Sequence, residues 1–289
     1  MSLPPKHLDL IYDVGMHKGE DTDYYLQKGF RVVAFEANPD LVKLCRTKFA
    51  NAIDRKELTI VEGAIVDKER AQKTVKFYSN RKKSIWGTVN SDWAHRNEIL
   101  GTDNEVIEVE VVDFKECLRQ YGIPYYMKID IEGSDLVCLE SLLDFDIKPN
   151  YVSIESEKVV FRALDEQIDL LVHLGYGQFK SVQQENIVFQ ALPDPANEGK
   201  TINYHFPYGS SGLFGEDLPG KWKTRHSVLR EYRGIFILYH LFGDYSVLRR
   251  FTWGRKLTQG LRRLIGRPIP GWHDIHAKHS SAVLQSSQN

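Results

Sequence analysis

Short apolar runs alternate with amphipathic stretches through the first two-thirds of the chain. Residues 8–14 (LDLIYDV) form a strand-like run, followed by the helix-like stretch GEDTDYYLQKG and a second apolar run at 31–37 (RVVAFEA). A helix is predicted to open at Asn38-Pro39-Asp40, because Leu41, Leu44, Cys45, Lys48 and Phe49 recur at helical spacing. Further strands are predicted at 58–66 (LTIVEGAIV), 125–131 (YYMKIDI) and 151–156 (YVSIES). Helical patterns follow at SDLVCLESLLDF and FRALDEQIDLLVHLGY, the second stopped by Gly175 and Gly177. GQFKSVQQ and NIVFQAL read as an antiparallel hairpin. Repeated β-α units with apolar strands predict an α/β fold with a doubly wound, mostly parallel sheet covered on both faces. Ligands of such sheets bind at the carboxyl ends of the strands.

Between the third strand and Tyr125 the pattern is interrupted by KTVKFYSN, a polar loop over 81–104 and the alternating run EVIEVEVVD. After Leu192 the alternation stops. The reading divides the chain into a main domain (1–192), a Gly/Pro/Ser-rich lid-like loop (193–220) and a basic helical C-terminal extension (221–289).

Composition narrows the class. Of 289 residues, 42% are hydrophobic and 27% charged, which suits a globular protein and excludes collagen-like and low-complexity classes. The net charge is only -1, but residues 221–289 carry 13 Lys/Arg against 3 Asp/Glu. In 245–268, Val247, Phe251, Gly254, Leu257, Leu261 and Leu264/Ile265 fall at three- or four-residue intervals among arginines, the pattern of a basic amphipathic helix. Such a helix packs on the body, forms a homodimer contact, or makes peripheral contact with an anionic membrane surface. The acidic remainder argues against nucleic acid as partner. Three cysteines without C-x-x-C spacing fit no disulfide framework or zinc cluster. With no signal-like start and no apolar stretch near ~20 residues, the expected location is cytoplasmic, or peripheral to the inner face of the membrane. His273, His276 and His279 stand three apart, which on a helix would approach one face; a solvated tail is the expectation preferred here.

The strongest local signal is Asp13-Val-Gly15-Met-His17-Lys-Gly19-Glu-Asp-Thr22, at a strand-to-helix junction. Gly15 permits a tight turn and close ligand approach, and Gly19 close packing of helix on strand. This is neither G-x-G-x-x-G nor a P-loop, so no pyrophosphate cradle is indicated. Glu36 ends the next strand, where an acid can hold both hydroxyls of a ribose. One ribose without a pyrophosphate cradle, in an acidic setting, fits S-adenosylmethionine. Asp13 and Asp130 would complement its ammonium and sulfonium charges. The competing reading is a glycine-rich turn in an ordinary α/β fold.

Asp13-Val-Gly15…Gly19…Thr22, Val33-Ala-Phe-Glu36-Ala-Asn-Pro39 and, above all, Met127-Lys-Ile-Asp130-Ile-Glu132-Gly133-Ser-Asp135 resemble the FkbM-type S-adenosylmethionine-dependent methyltransferases over about residues 11–175. The segment Ser210-Ser-Gly-Leu-Phe-Gly-Glu-Asp217 is similar to a subset of them. Met16-His17 stands where the family usually has Ala-Asn. The resemblance implies the seven-stranded class I methyltransferase fold and O-methylation of a sugar, glycolipid or natural-product hydroxyl on a small-molecule, glycan or lipid-linked acceptor. It places the backbone around Asp13, Gly15 and Gly19, with His17, at the methionine moiety. It places Glu36 at the ribose, Gly63-Ala64 at the adenine and Asp130 beside the sulfur. Asn38-Pro39-Asp40 is read first as a helix start with Asn38 or Asp40 as cap, and the Ala37-Asn38 backbone is a candidate adenosine contact.

A hydroxyl acceptor benefits from a general base. The candidates are Asp130, Glu132, Glu155 and His205. Glu132 has an equally weighted structural role, accepting backbone N–H bonds at the next helix start. A metal held by Asp130, Glu132 and Asp135 is disfavoured for want of a supporting ligand pattern, so no metal is expected. The rivals are an NAD-linked oxidoreductase, which the missing G-x-G-x-x-G opposes, and an inert binding or scaffold protein on the same fold.

Overall fold

The computed structural model describes residues 4–67, 73–80, 87–89, 104–131, 133–157, 160–242 and 272–282. Glu132, most of the polar loop at 81–104 and the predicted basic helix at 245–268 lie outside the described residues.

Strand β1 (Lys6–Val14) is buried over its last five residues. Helix α1 (Glu20–Gln27) starts from Gly19, whose φ of 74° suits glycine, and carries Glu20, Asp21 and Asp23 in its first turn. After β2 (Arg31–Glu36), the Asn38 side chain accepts the Asp40 N–H and Pro39 opens α2 (Pro39–Lys48), as the sequence indicates. Next come α3 (Ala50–Asp54), β3 (Leu58–Glu62), β4 (Ala64–Ile65), β5 (Thr74–Asn80), β6 (Asn104–Val112), α4 (Phe114–Tyr121), β7 (Ile123–Ile129) and α5 (Asp135–Ser141). The remainder is β8 (Tyr151–Glu155), α6 (Phe161–His173), β9 (Tyr176–Gln183), α7 (Arg225–Phe242) and β10 (His273–His279). Among the described residues no helix is long and apolar enough to cross a membrane.

The main sheet has seven strands in the order β3-β2-β1-β7-β8-β10-β9. The first five are mutually parallel, and β10 runs antiparallel to both neighbours. One face carries Tyr12, Phe35, Met127, Ile154 and Ile275 into a core completed by α4–α7. The other carries Ile11, Ala34 and Tyr126 against α1, α2 and the 193–220 segment.

Three expectations are corrected. The predicted strand at 58–66 breaks at Gly63 (φ 133°), where a Cβ would sit 2.7 Å from the Glu110 carbonyl oxygen. Beyond it, Ala64–Ile65 leaves the main sheet and pairs with β6. The predicted hairpin after α6 does not form, because Gln184–Phe189 is a 3₁₀ turn and β9 pairs instead with β10. The C-terminal histidines therefore lie on a sheet strand, neither on a helix nor in a solvated tail. In a strand, a step of three turns each ring to the opposite face, so His273, His276 and His279 do not converge. His276 is buried.

The 193–220 segment packs on the sheet. Phe214 lies flat on Tyr126 (centroids 4.5 Å apart, planes at 4°). Asp217 accepts the Asn197 and Glu198 N–H groups at 2.6 and 3.2 Å and pairs with Lys28 at 2.9 Å, both side chains fully buried. Glu198 accepts the Glu216 N–H and the Tyr125 hydroxyl, each at 2.8 Å. Irregular chain can cover a sheet only when its backbone groups find such partners.

Two predictions follow from this cover. Asp217→Ala leaves a buried lysine and two N–H groups without their acceptor, and should cost about 3–5 kcal/mol in denaturant unfolding; a loss under ~1 kcal/mol would refute that role. Burial pushes the Glu198 carboxyl up to about 7, and Asp217 and Glu216 add to this against its two hydrogen bonds. The folded protein thus holds this proton more tightly than the unfolded chain, so its contribution is full below about pH 4 and lost as pH rises through 7. Glu198→Gln should flatten the stability profile over that window and exceed wild type by about 1–3 kcal/mol at pH 8. An unchanged slope would count against it.

Candidate active site

Three strand ends and a loop build a crevice of about 830 Å³, part of it open to solvent. At the end of β1, Gly15 takes φ +91°, and a Cβ there would lie 1.9 Å from the Asp130 carbonyl oxygen. Only glycine lets the β1 turn close so tightly on the end of β7. The Gly15 and Met16 N–H groups both donate to the Phe35 carbonyl, at 3.1 and 2.9 Å, tying this turn to β2.

Glu36 ends β2 in the crevice wall. Its Oε2 accepts the His17 N–H and its Oε1 the Asn38 N–H, each at 2.8 Å. Burial pushes this carboxyl above its usual range while the two N–H groups oppose the shift. A carboxylate has about four lone-pair positions, so each oxygen can accept one more donor. The His17 ring leans on Glu20 at 3.1 Å. Burial would raise the Glu20 carboxyl, but the bond to His17 leads the effects that hold it below its usual range. One end of the crevice is apolar, walled by Ala64, Ile65, Phe77 and Val89.

Beneath the turn sits Lys128, a residue the sequence analysis missed. Its Nζ donates to the Gly15 carbonyl at 2.7 Å. It stands 3.2 Å from Asp13, 3.8 Å from Asp21 and 3.9 Å from Asp130. Burial alone would lower its pKa, but the three carboxylates together hold it above its usual range. A lysine in the apolar run YYMKI was the available signal, since a buried ammonium needs acidic partners.

Of the sequence-predicted residues, Gly15, His17, Glu36, Ala37, Gly63, Ala64 and Asp130 line the crevice. Asp13 and Thr22 are fully buried below it, joined by a 2.6 Å hydrogen bond, and Asp13 also pairs with Lys128. Gly19 serves packing, because a Cβ there would meet the Phe49 ring at 2.3 Å. Asn38 is the α2 cap. Asp130 has a half-exposed side chain at the end of β7. Glu155 ends β8 outside this crevice wall, paired in register with Asp274 of β10. His205 is exposed and away from the wall.

Asp135 accepts the Ile131 and Gly133 N–H groups at 2.9 and 3.1 Å, fixing the turn between β7 and α5. Burial pushes Asp135 up to about 6 against those bonds. Asp274 was also missed. Burial first, then Asp130 and Glu155, push its carboxyl well above the usual range. Among the described residues no group of three His, Cys, Asp or Glu side chains could hold a metal ion.

The model of the methyltransferase FkbM domain matches residues 13–177, more than half of the sequence. The chain belongs to the FkbM methyltransferase family. No curated protein matches it. Solved structures similar to this FkbM-family chain include the FkbM methyltransferase of Methylobacillus flagellatus KT, at 17% identity and TM-score 0.36 over 59% of this chain and 38% of that one. A SAM-dependent methyltransferase of Archaeoglobus fulgidus matches at 13% and 0.36 over 94% and 86%. An SAH-bound methyltransferase of Podospora anserina matches at 9% and 0.31 over 94% and 72%. The chain thus spans little more than a third of the Methylobacillus protein. Its sheet, five parallel strands followed by an antiparallel one inserted before the edge, is the class I methyltransferase architecture expected of the family.

Proposed function

We propose that this FkbM-family protein uses S-adenosylmethionine to methylate a hydroxyl of a sugar, glycolipid or natural product. The observation that carries the cofactor reading is the Glu36 carboxylate. It is fixed by two backbone N–H groups between a glycine turn on one side and an apolar pocket on the other. Each part suits one piece of that nucleoside: spare carboxylate lone pairs for ribose hydroxyls, and Ala64, Ile65, Phe77 and Val89 for a flat base. The acidic surroundings of Lys128 suit a cationic rather than a phosphorylated ligand. They also oppose the NAD-linked alternative, whose pyrophosphate needs N–H donors and positive charge.

The cofactor supplies an electrophilic methyl group on sulfur. The protein must align an oxygen with it and take up the hydroxyl proton. Asp130 is the candidate base that best fits. It reaches the crevice from the end of β7, is half open to solvent, and is anchored by Lys128 at 3.9 Å. The acceptor class rests on the family resemblance and on the need of a hydroxyl for such a base.

Calorimetry with S-adenosylhomocysteine and with NADH tests the cofactor reading. Binding of the first and not the second is expected, and the reverse would establish the oxidoreductase. A screen of glycan and lipid fractions with methyl-labelled cofactor then identifies the acceptor. On that acceptor, Asp130→Asn should lower turnover by ~10²–10⁴-fold with nucleoside affinity and folding retained. Wild-type turnover in this variant would remove Asp130 from the mechanism, and binding without transfer to any fraction would favour a scaffold.

A further inference from the structure

One ammonium group faces three carboxylates at the closed end of the crevice. Lys128 lies 3.2 Å from Asp13, 3.8 Å from Asp21 and 3.9 Å from Asp130. These carboxylates are not equivalent. Asp13 is sealed beneath the turn, where its Oδ2 takes the Thr22 hydroxyl at 2.6 Å and its Oδ1 is the oxygen nearest Lys128. Asp21 and Asp130 both stand in the crevice wall. Asp130 is half exposed, and water can screen it.

Asp21 has no such relief. It is 4% exposed; its Oδ1 accepts the Ser211 N–H at 2.8 Å, and the Ser211 side chain adds a second hydrogen bond. Its Oδ2 lies beyond hydrogen-bond distance of Lys128. Burial first, then repulsion from Asp13, push this carboxyl up to about 7 in spite of Lys128. It is a buried acid whose nearest cation, Lys128, is shared with two other carboxylates. The cover loop adds a second mark of incompleteness at the same place. Gly209 of that loop lines the crevice, and the next residue, Ser210, holds its hydroxyl buried without a hydrogen-bond partner.

We propose that Asp21, with the Ser210–Ser211 turn packed against it, is the seat for the α-ammonium group of the cofactor's amino-acid end. The proposal rests on reading the crevice as an S-adenosylmethionine site. That nucleoside carries two cationic centres; of the wall carboxylates, Glu20 is paired with His17 and Glu36 is held by two N–H groups, which leaves Asp21 for the ammonium and Asp130 for the side nearer the sulfonium. Asp21 lies on α1, eight residues beyond the acid that ends the apolar run of β1, and the loop that holds it comes from the far side of the sequence. Residues 193–220 thereby contribute to cofactor selection as well as to the core.

The test is calorimetry on the full chain with S-adenosylhomocysteine, its deaminated analogue and 5′-methylthioadenosine, which lacks the whole amino-acid end. On wild type, removing the amino group should weaken binding about 10–100-fold, the range for a hydrogen bond to a charged group. Asp21→Asn keeps an oxygen for the Ser211 N–H. It should bind S-adenosylhomocysteine weaker by the same factor, hold 5′-methylthioadenosine within about twofold, and no longer distinguish the deaminated analogue. Equal weakening of all three ligands would make Asp21 a purely structural latch and overturn the proposal. So would wild-type affinities in Asp21→Asn, or an amino group whose removal costs wild type nothing. The wild-type comparison stands even if the variant does not fold. If wild type binds neither S-adenosylhomocysteine nor 5′-methylthioadenosine, the cofactor reading itself falls and takes the proposal with it. Binding of 5′-methylthioadenosine with indifference to the amino group sinks the proposal alone.

Discussion

The Lys128 ammonium is buried near the middle of a parallel sheet, where an unpaired charge would cost several kcal/mol. Its partners are the parts that must be brought together for the crevice to exist. Asp13 and the Gly15 carbonyl belong to the end of β1, Asp21 to α1, and Asp130 to the end of β7. Satisfying one lysine therefore fixes the spacing of two strand ends and a helix start. The absence of a side chain on Gly15 lets those ends approach until the backbones touch. Glu36 is then positioned from the neighbouring strand by N–H groups on either side of it, His17 from the turn and Asn38 from the helix cap. This crevice-wall carboxylate owes its orientation to backbone, which is stiffer than any side-chain partner.

A parallel sheet must be covered on both faces, and this one is covered unconventionally. Where a further helix could lie, the 193–220 segment lays Phe206, Leu213, Phe214 and Leu218 over the sheet. The same segment supplies polar partners to the strands beneath. Glu216 takes Lys278 at 2.7 Å and the Tyr151 hydroxyl at 2.9 Å, and the Leu218 carbonyl takes Lys180 at 2.6 Å. That is how β10, with Asp274, His276 and Lys278 on one face, can be an interior strand. His276 stays neutral there, because burial first and Lys180 second pull its pKa down to about 3. Cover and strand depend on each other through these contacts.

This interdependence explains what the sequence could and could not disclose. β1, β2, β7 and β8 were readable to within about two residues, because strands buried on both faces are near-continuous apolar runs. The Asn38 cap, the Gly15 turn and Glu36 were readable because each is a local device. β10 was not. Ile275 and Ala277 alternate as a strand requires, but Asp274, His276 and Lys278 between them imitate a solvent-facing edge. Their partners are brought by chain far away in sequence. The break at Gly63 was hidden for the same reason, since only β6 makes the strand change sheets there. The cover loop has the Gly, Pro and Ser content of a lid, and nothing local to it reveals that Asp21 and Gln190 wait to satisfy its backbone.

The acid-bearing turn shows a subtler limit. Asp13 is where a motif reading looks for charge complementarity, yet it is sealed below the crevice, its Oδ2 taking the Thr22 hydroxyl and its Oδ1 ion-paired with Lys128. A carboxylate serves a ligand only with the hydrogen-bonding capacity its neighbours leave unused. The first-strand acid is part of the scaffold: it is fully buried beneath the turn, beside Thr22 and Lys128. A spacing pattern records which residues cluster; which of them faces outward is decided by the order in which a few buried donors are used up.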